Sequence, residues 1–238
     1  MAKGAGVFDA VRVGDVRIVD GVASLLPTQT SPIEALSSAA VASDAMWSDR
    51  TDTLAEKSVS VCTGLLSLRR TVFLKEAIQA PYLEDLAAIV PHSQYLHRMR
   101  QGAGYLAGKR ALEAHSGMRE PTRKERHALD DGWARITDWV LTATLAGVTF
   151  LPASKAPHLA VLPGYGLLEE LALLAHHGVP PTDAITMATT VTAHSFGFDP
   201  IPGELSLSEG SGSIAQTPDQ PLKRELTRDS LLSVKPLN

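Results

Sequence analysis

Glycine punctuation between residues 121 and 197 is the feature that most constrains this chain. Leu129, Trp133, Ile136, Val140 and Leu141 recur at helical spacing, and Gly147 follows as a C-terminal stop. Val148 to Leu151 then reads as a short strand. Leu167, Leu168, Leu171, Leu174 and Ala175 form a second helical stripe, stopped by Gly178. A third helix is predicted from Pro181 to Ser195, with Gly197 as its stop. Strand and helices joined by such short turns argue for an α/β class.

The same alternation is fainter upstream. Asp15-Val16-Arg17-Ile18-Val19-Asp20-Gly21 alternates apolar and polar residues and predicts a strand. Ser31 to Ala55 reads as one helix opening at Ser31-Pro32, because proline suits a first helical turn. Val59 to Gly64 is a second strand, β-branched and ended by glycine. Residues 66–118 are helical in composition but interrupted by Pro81, Pro91, Gly102, Gly104 and Gly108. Residues 200–238 are rich in Pro, Gly, Ser and Gln, which predicts a loosely packed tail behind a main unit over 1–199.

Composition narrows the class of function. The 22 basic against 26 acidic residues leave a formal charge of −4, which argues against nucleic acid or an acidic membrane as partner. The single cysteine, Cys62, excludes an intramolecular disulfide and a multi-thiolate metal site. Residues 1–20 lack the apolar block of about 7–15 residues that a signal peptide uses. No apolar run reaches the roughly 18 residues needed to span a bilayer. A cytoplasmic address is the resulting expectation.

Individual motifs name no chemistry. His176 and His177 are neighbours, and adjacent helical residues point about 100° apart, so capping the helix end suits them better than sharing one ion. His92, His97 and His194 have no partner at a readable spacing. Cys62 reads either as a small buried hydrophobe or as a nucleophile. Gly164-Tyr165-Gly166 is a loop before a helix and lacks the remaining glycines and Lys-Ser/Thr ending of a phosphate cradle.

A longer pattern is more informative. Ala146-Gly147-Val148-Thr149-Phe150-Leu151-Pro152-Ala153-Ser154-Lys155 is followed by Leu162-Pro163-Gly164-Tyr165-Gly166-Leu167-Leu168-Glu169-Glu170-Leu171. Gly178-Val179-Pro180-Pro181-Thr182-Asp183-Ala184-Ile185 and Ala188-Thr189-Thr190 continue it. Together they resemble the C-terminal half of metal-dependent amidohydrolases, the imidazolonepropionase-like branch in particular. Leu54 to Cys62 and Leu65 resemble that family's seventh strand and its lead-in, Ala10 to Gly14 through Ile18 to Gly21 its sixth strand and the helix before it, and Ala2-Lys3-Gly4-Ala5 the segment after its fifth. The resemblance covers roughly residues 2–199. It implies a partial (β/α) barrel, the last three to four βα units of a TIM-type barrel, helix-rich and without the family's β-sandwich. In the tail, Gly212-Ser213-Ile214-Ala215 matches the family, but Gln216 to Pro221 stands where a sandwich strand would follow.

The family's site lies at the C-terminal strand ends, where histidines and an aspartate hold divalent metal that activates a water. By resemblance, Lys3 stands at the strand-five histidine, Asp20 at the strand-six histidine and Lys155 at the strand-eight aspartate. A His-x-His strand has no counterpart. Only Asp20 retains a ligand type, and two ammonium groups would repel an ion. Tyr165 and His158, around the Pro-Gly loop, are the implied substrate contacts.

The resemblance therefore implies a degenerate amidohydrolase-like protein, a partner subunit or remnant without metal-dependent hydrolysis of its own. No cofactor is expected. Two alternatives remain open: a hydrolase of C–N or ester bonds, with zinc or another divalent metal, completed by a separate N-terminal half; or a metal-free lysine-based enzyme using Lys3, Lys155 and Asp20. A complementary chain or a homo-oligomer is expected to cover the open strand edges.

Overall fold

The computed structural model describes residues 6–14, 16–26, 31–79, 121–156, 161 and 165–198, with the strand segments 211–214 and 224–227. Helix α1 (Val7–Val13) leads into strand β1 (Ile18–Val19) and a 3-10 turn (Val22–Leu25). Helices α2 (Pro32–Val41) and α3 (Asp44–Glu56) precede β2 (Ser60–Cys62), α4 (Leu65–Val72) and α5 (Leu74–Gln79). After the segment 80–120, which lies outside the described residues, come α6 (Arg123–Leu145), β3 (Thr149–Leu151), α7 (Tyr165–His176) and α8 (Pro181–Thr186). A π turn (Met187–Val191) and a last helical turn, α9 (Thr192–Ser195), complete the unit.

Strands β1, β2 and β3 form one parallel sheet in that order, so the three expected strand segments lie side by side. The register places Val19 opposite Val61 and Val61 opposite Phe150. These three side chains are buried on one sheet face, where the Trp139 ring meets Phe150 edge-on at 5.7 Å and Trp47 lies 5.0 Å from Trp139. Alternation turns Ser60, Cys62 and Leu151 to the other face. There Ser60 Oγ lies 3.3 Å from Ser195 Oγ of α9, and the π turn packs against β3. The chain is thus a helix-rich α/β structure around a small parallel sheet. Among the described residues no helix is long and apolar enough to cross a membrane.

Several sequence expectations need correction. The strands are shorter than the runs that announced them, because ladder pairing survives only where neighbours share register. The helix expected over 31–55 is two helices. Ala42 adopts extended backbone, and Ser43 Oγ accepts the Met46 N–H at 3.2 Å to open a new helix. Helix α7 already begins at Tyr165, within the expected Gly-Tyr-Gly loop. The helix over 181–195 carries a π turn, where Thr192 Oγ1 donates to the Met187 carbonyl at 2.6 Å. In the tail, where no strand was expected, β4 (Ser211–Ile214) pairs antiparallel with β5 (Arg224–Thr227). Glycine and serine carry little β propensity of their own, so pairing with the partner strand decides this segment.

The expected stripe on α6 is buried at Leu129, Trp133, Ile136 and Val140. On α7, Leu171 and Leu174 are buried, whereas Leu167 is only half-buried. The buried side of α7 also takes in Glu169 and Glu170, so hydrophobicity alone misplaced its centre.

Helices α2 and α6 make the most extensive helix contact among the described elements. Gly132 permits it: a Cβ there would overlap the Leu36 carbonyl, standing 2.8 Å from its carbon. Replacing a helical glycine by alanine favours an isolated helix by up to about 1 kcal/mol. Overpacking a rigid crossing costs more, typically about 1–3 kcal/mol. Gly132→Ala is therefore expected to lower stability by roughly 1 kcal/mol net, read as a lower melting temperature; a rise would refute the close crossing.

Candidate functional site

The C-terminal ends of the three parallel strands meet at one edge of the sheet. Asp20-Gly21 follows β1, Thr63-Gly64 follows β2, and Pro152 to Lys155 follows β3. In α/β folds this edge is where loops from separate strands converge and ligands bind.

Lys155 crosses that edge. Its Nζ lies 3.0 Å from Asp20 Oδ1 and donates to the Asp20 carbonyl oxygen at 3.2 Å. That carbonyl also accepts from Ser24 Oγ at 2.9 Å. The lysine side chain is 30% exposed and the Asp20 side chain 85% exposed, so solvent screens the pair and its worth is about 0–1 kcal/mol. Backbone geometry holds the arm in place. Lys155 sits at φ 54°, a left-handed conformation uncommon for a residue with a side chain. Its amine arm runs over two glycines: a Cβ at Gly21 would stand 2.8 Å from Nζ, and one at Gly64 2.9 Å from Cε. Both glycines also have positive φ, at 93° and 59°.

Cys62, at the end of β2, is a free, half-buried thiol. Burial pushes its pKa up, the Asp20 carboxylate adds to this, and the Lys155 ammonium partly opposes it. The thiol is therefore held neutral, which favours the small-hydrophobe reading over the nucleophile.

The neighbouring network is buried and was not foreseen. Glu170 of α7 accepts hydrogen bonds from the Leu65 N–H at 2.9 Å and the Leu66 N–H at 2.7 Å, capping α4 from another helix. It also accepts from Thr63 Oγ1, which in turn accepts from the Ala153 N–H at 3.3 Å. One carboxylate so ties the ends of β2 and β3 to α4 and α7. Beside it, Arg70 and Glu169 form an ion pair with both side chains at most 2% exposed. Two adjacent glutamates inside an otherwise apolar helix were the available signal, since carboxylates there must find donors.

The expected site residues fare differently. Asp20 and Lys155 meet, although 135 residues separate them. Tyr165 opens α7, half-buried, next to Gly166, where a Cβ would stand 3.2 Å from Ser154 Cβ. Lys3 and His158 lie outside the described residues, as do His92 and His97. His176 ends α7, and His177 rests edge-on to Trp133 at 5.9 Å; burial lowers its pKa. His177 is thus packed at the helix end, whereas His176 is exposed. Among the described residues no group of three or more His, Cys, Asp or Glu is placed to hold a metal. At the strand ends the position facing Asp20 is filled by an ammonium, so these residues do not fit a divalent ion.

No family model matches the chain, and no curated protein or solved structure matches it. The geometry therefore stands on this chain's own residues.

Glu170 provides a pH signature. Burial, outweighing its three hydrogen bonds, raises its pKa from 4.5 to about 7. A carboxyl that holds its proton more tightly folded than unfolded favours the fold at low pH and loses that contribution as pH rises. Stability is expected to fall between pH 4.5 and 7, by on the order of 3 kcal/mol from this group alone. Glu170→Gln should flatten that slope in denaturant titrations; an unchanged slope would assign it to other groups.

Proposed function

We propose that this chain is an amidohydrolase-like protein in which an ion pair takes the place of the metal centre. It acts as a partner subunit and performs no metal-dependent hydrolysis on its own. The observation that carries this reading is the contact between Asp20 and Lys155 at 3.0 Å. The family resemblance aligns those two positions with ligands of one centre, and nothing local in the sequence brings them together.

The chemistry follows from charge. A metal centre concentrates positive charge between carboxylate and imidazole ligands. Here the Lys155 ammonium supplies a single positive charge opposite Asp20, which keeps the strand ends neutral without an ion. Hydrolysis through a metal-activated water needs an open coordination position and a base to take the proton. An ammonium offers neither.

The sheet supports the subunit part of the reading. Among the described residues, β1 and β3 are the outer strands of the sheet. Such edges are normally covered. A complementary chain carrying further strands, or a second copy of this one, would complete the sheet.

Elemental analysis after expression in zinc- and manganese-supplemented medium tests the metal part. Substoichiometric metal is expected, unchanged by Asp20→Ala. Stoichiometric metal that disappears in Asp20→Ala would overturn the reading in favour of a hydrolase. Light scattering on the same preparation tests the subunit part: a strictly monomeric chain that captures no complementary half on co-expression counts against it.

A further inference from the structure

We infer that the strand-end edge is a covalent carbonyl-binding site, in which the Lys155 amine condenses with a small neutral aldehyde or ketone and Asp20 handles the protons. The inference goes beyond the ion-pair reading and does not need the family resemblance. It rests on the way the amine is built into the edge.

An ordinary surface lysine extends into water on a flexible stem and pairs loosely. Lys155 does not. Its backbone is held at φ 54°, its stem lies over Gly21 and Gly64, and its amine sits between the carboxylate and the carbonyl of one residue. Local strain of this kind costs about 1–3 kcal/mol and persists where the surroundings impose it, often at functional sites. The side chain is 30% exposed, so the arm is not sealed from solvent.

The carboxylate at 3.0 Å is a proton acceptor and donor within reach of the amine. The ammonium passes one proton to Asp20, and the freed nitrogen lone pair attacks the carbonyl carbon. The carbonyl π electrons move to oxygen, which takes that proton back from Asp20 to give a neutral carbinolamine hydroxyl and a protonated nitrogen. A second proton travels from nitrogen through Asp20 to that hydroxyl, which leaves as water. The product is an iminium on Lys155, so R-NH3+ plus O=C becomes R-NH+=C plus H2O, with charge conserved.

Electrostatics selects the ligand class. A helix N-terminus at the end of a parallel strand commonly receives phosphate. Here the first N–H groups of α4 are already taken by the Glu170 carboxylate. Asp20 adds a further negative charge at the rim. An anionic substrate meets like charge and an occupied helix end, whereas a neutral carbonyl meets neither.

Reductive trapping decides the matter. The full-length protein is treated with propanal and cyanoborohydride, and lysine adducts are located by peptide mass mapping. Lys155 is expected to be modified at least about tenfold faster than the exposed Lys57 and Lys124, as a lysine with a positioned base should be. Labelling of Lys155 no faster than theirs would overturn the site. Asp20→Asn, at a highly exposed side chain, should drop Lys155 to the Lys57 rate; unchanged selectivity would remove Asp20 from the proton transfer. Glyoxylate is the anionic arm. If it labels Lys155 in preference to propanal, with Lys57 as reference, the neutral-ligand assignment fails. Metal content judges the ion-pair reading separately, so either can fail without the other.

Discussion

The carboxylate of Glu170 is the interaction on which the strand-end edge depends. A buried charge or acid needs partners, and Glu170 finds them in the first two N–H groups of α4 and the Thr63 hydroxyl. Those donors belong to a segment more than a hundred residues earlier, so the contact can form only in the folded chain. It satisfies a helix start that no local side chain caps, because Gly64 precedes α4 and offers none. It also sets the height of β2 relative to β3, since Thr63 passes the link on to Ala153. The ion pair of Arg70 with Glu169 runs alongside, in surroundings where removing one partner costs about 3–5 kcal/mol.

With the ends of β2 and β3 held, Lys155 has little choice of path. The two glycines leave a shallow track across the strand ends, and the lysine stem lies in it. The ion pair with Asp20 is too exposed to stabilise the fold much. Its significance is geometric: it marks where the amine rests after packing elsewhere has positioned the backbone. That order of causes, with the framework first and the polar pair second, is the arrangement a positioned side chain requires.

Beneath the edge, the sheet is held from one side by aromatic packing. Trp47, Trp139 and Phe150 form a chain of ring contacts, one tilted and one edge-on, linking α3, α6 and β3. Gly132 lets α2 settle onto α6 close enough to close that layer. On the opposite face, among the described residues, the π turn packs against β3 and α9 reaches Ser60. A parallel sheet is ordinarily covered on both faces, and Leu151 and Ser60 on this second face are buried as well.

Much of the architecture was legible in the sequence, because periodicity and glycine stops are local. The apolar stripe at Leu129, Trp133, Ile136 and Val140 faces the core as its spacing requires, and the three strand segments pair in parallel. Local signals also misled where they were weak. One helix over 31–55 became two because the Ser43 cap competes with helix continuation, and the tail strands depend on each other. The site was legible only in part: Asp20 and Lys155 could be named, but their contact spans 135 residues. Glu170, Thr63 and Arg70 carried no spacing signal, since a buried polar network is defined by which donors reach which acceptors. Sequence alone determined the three parallel strand segments, the buried stripe of α6 and the residue types at the strand ends. Tertiary structure decided which carboxylate receives the start of α4, because desolvation makes a buried carboxyl accept whatever donors the fold delivers to it.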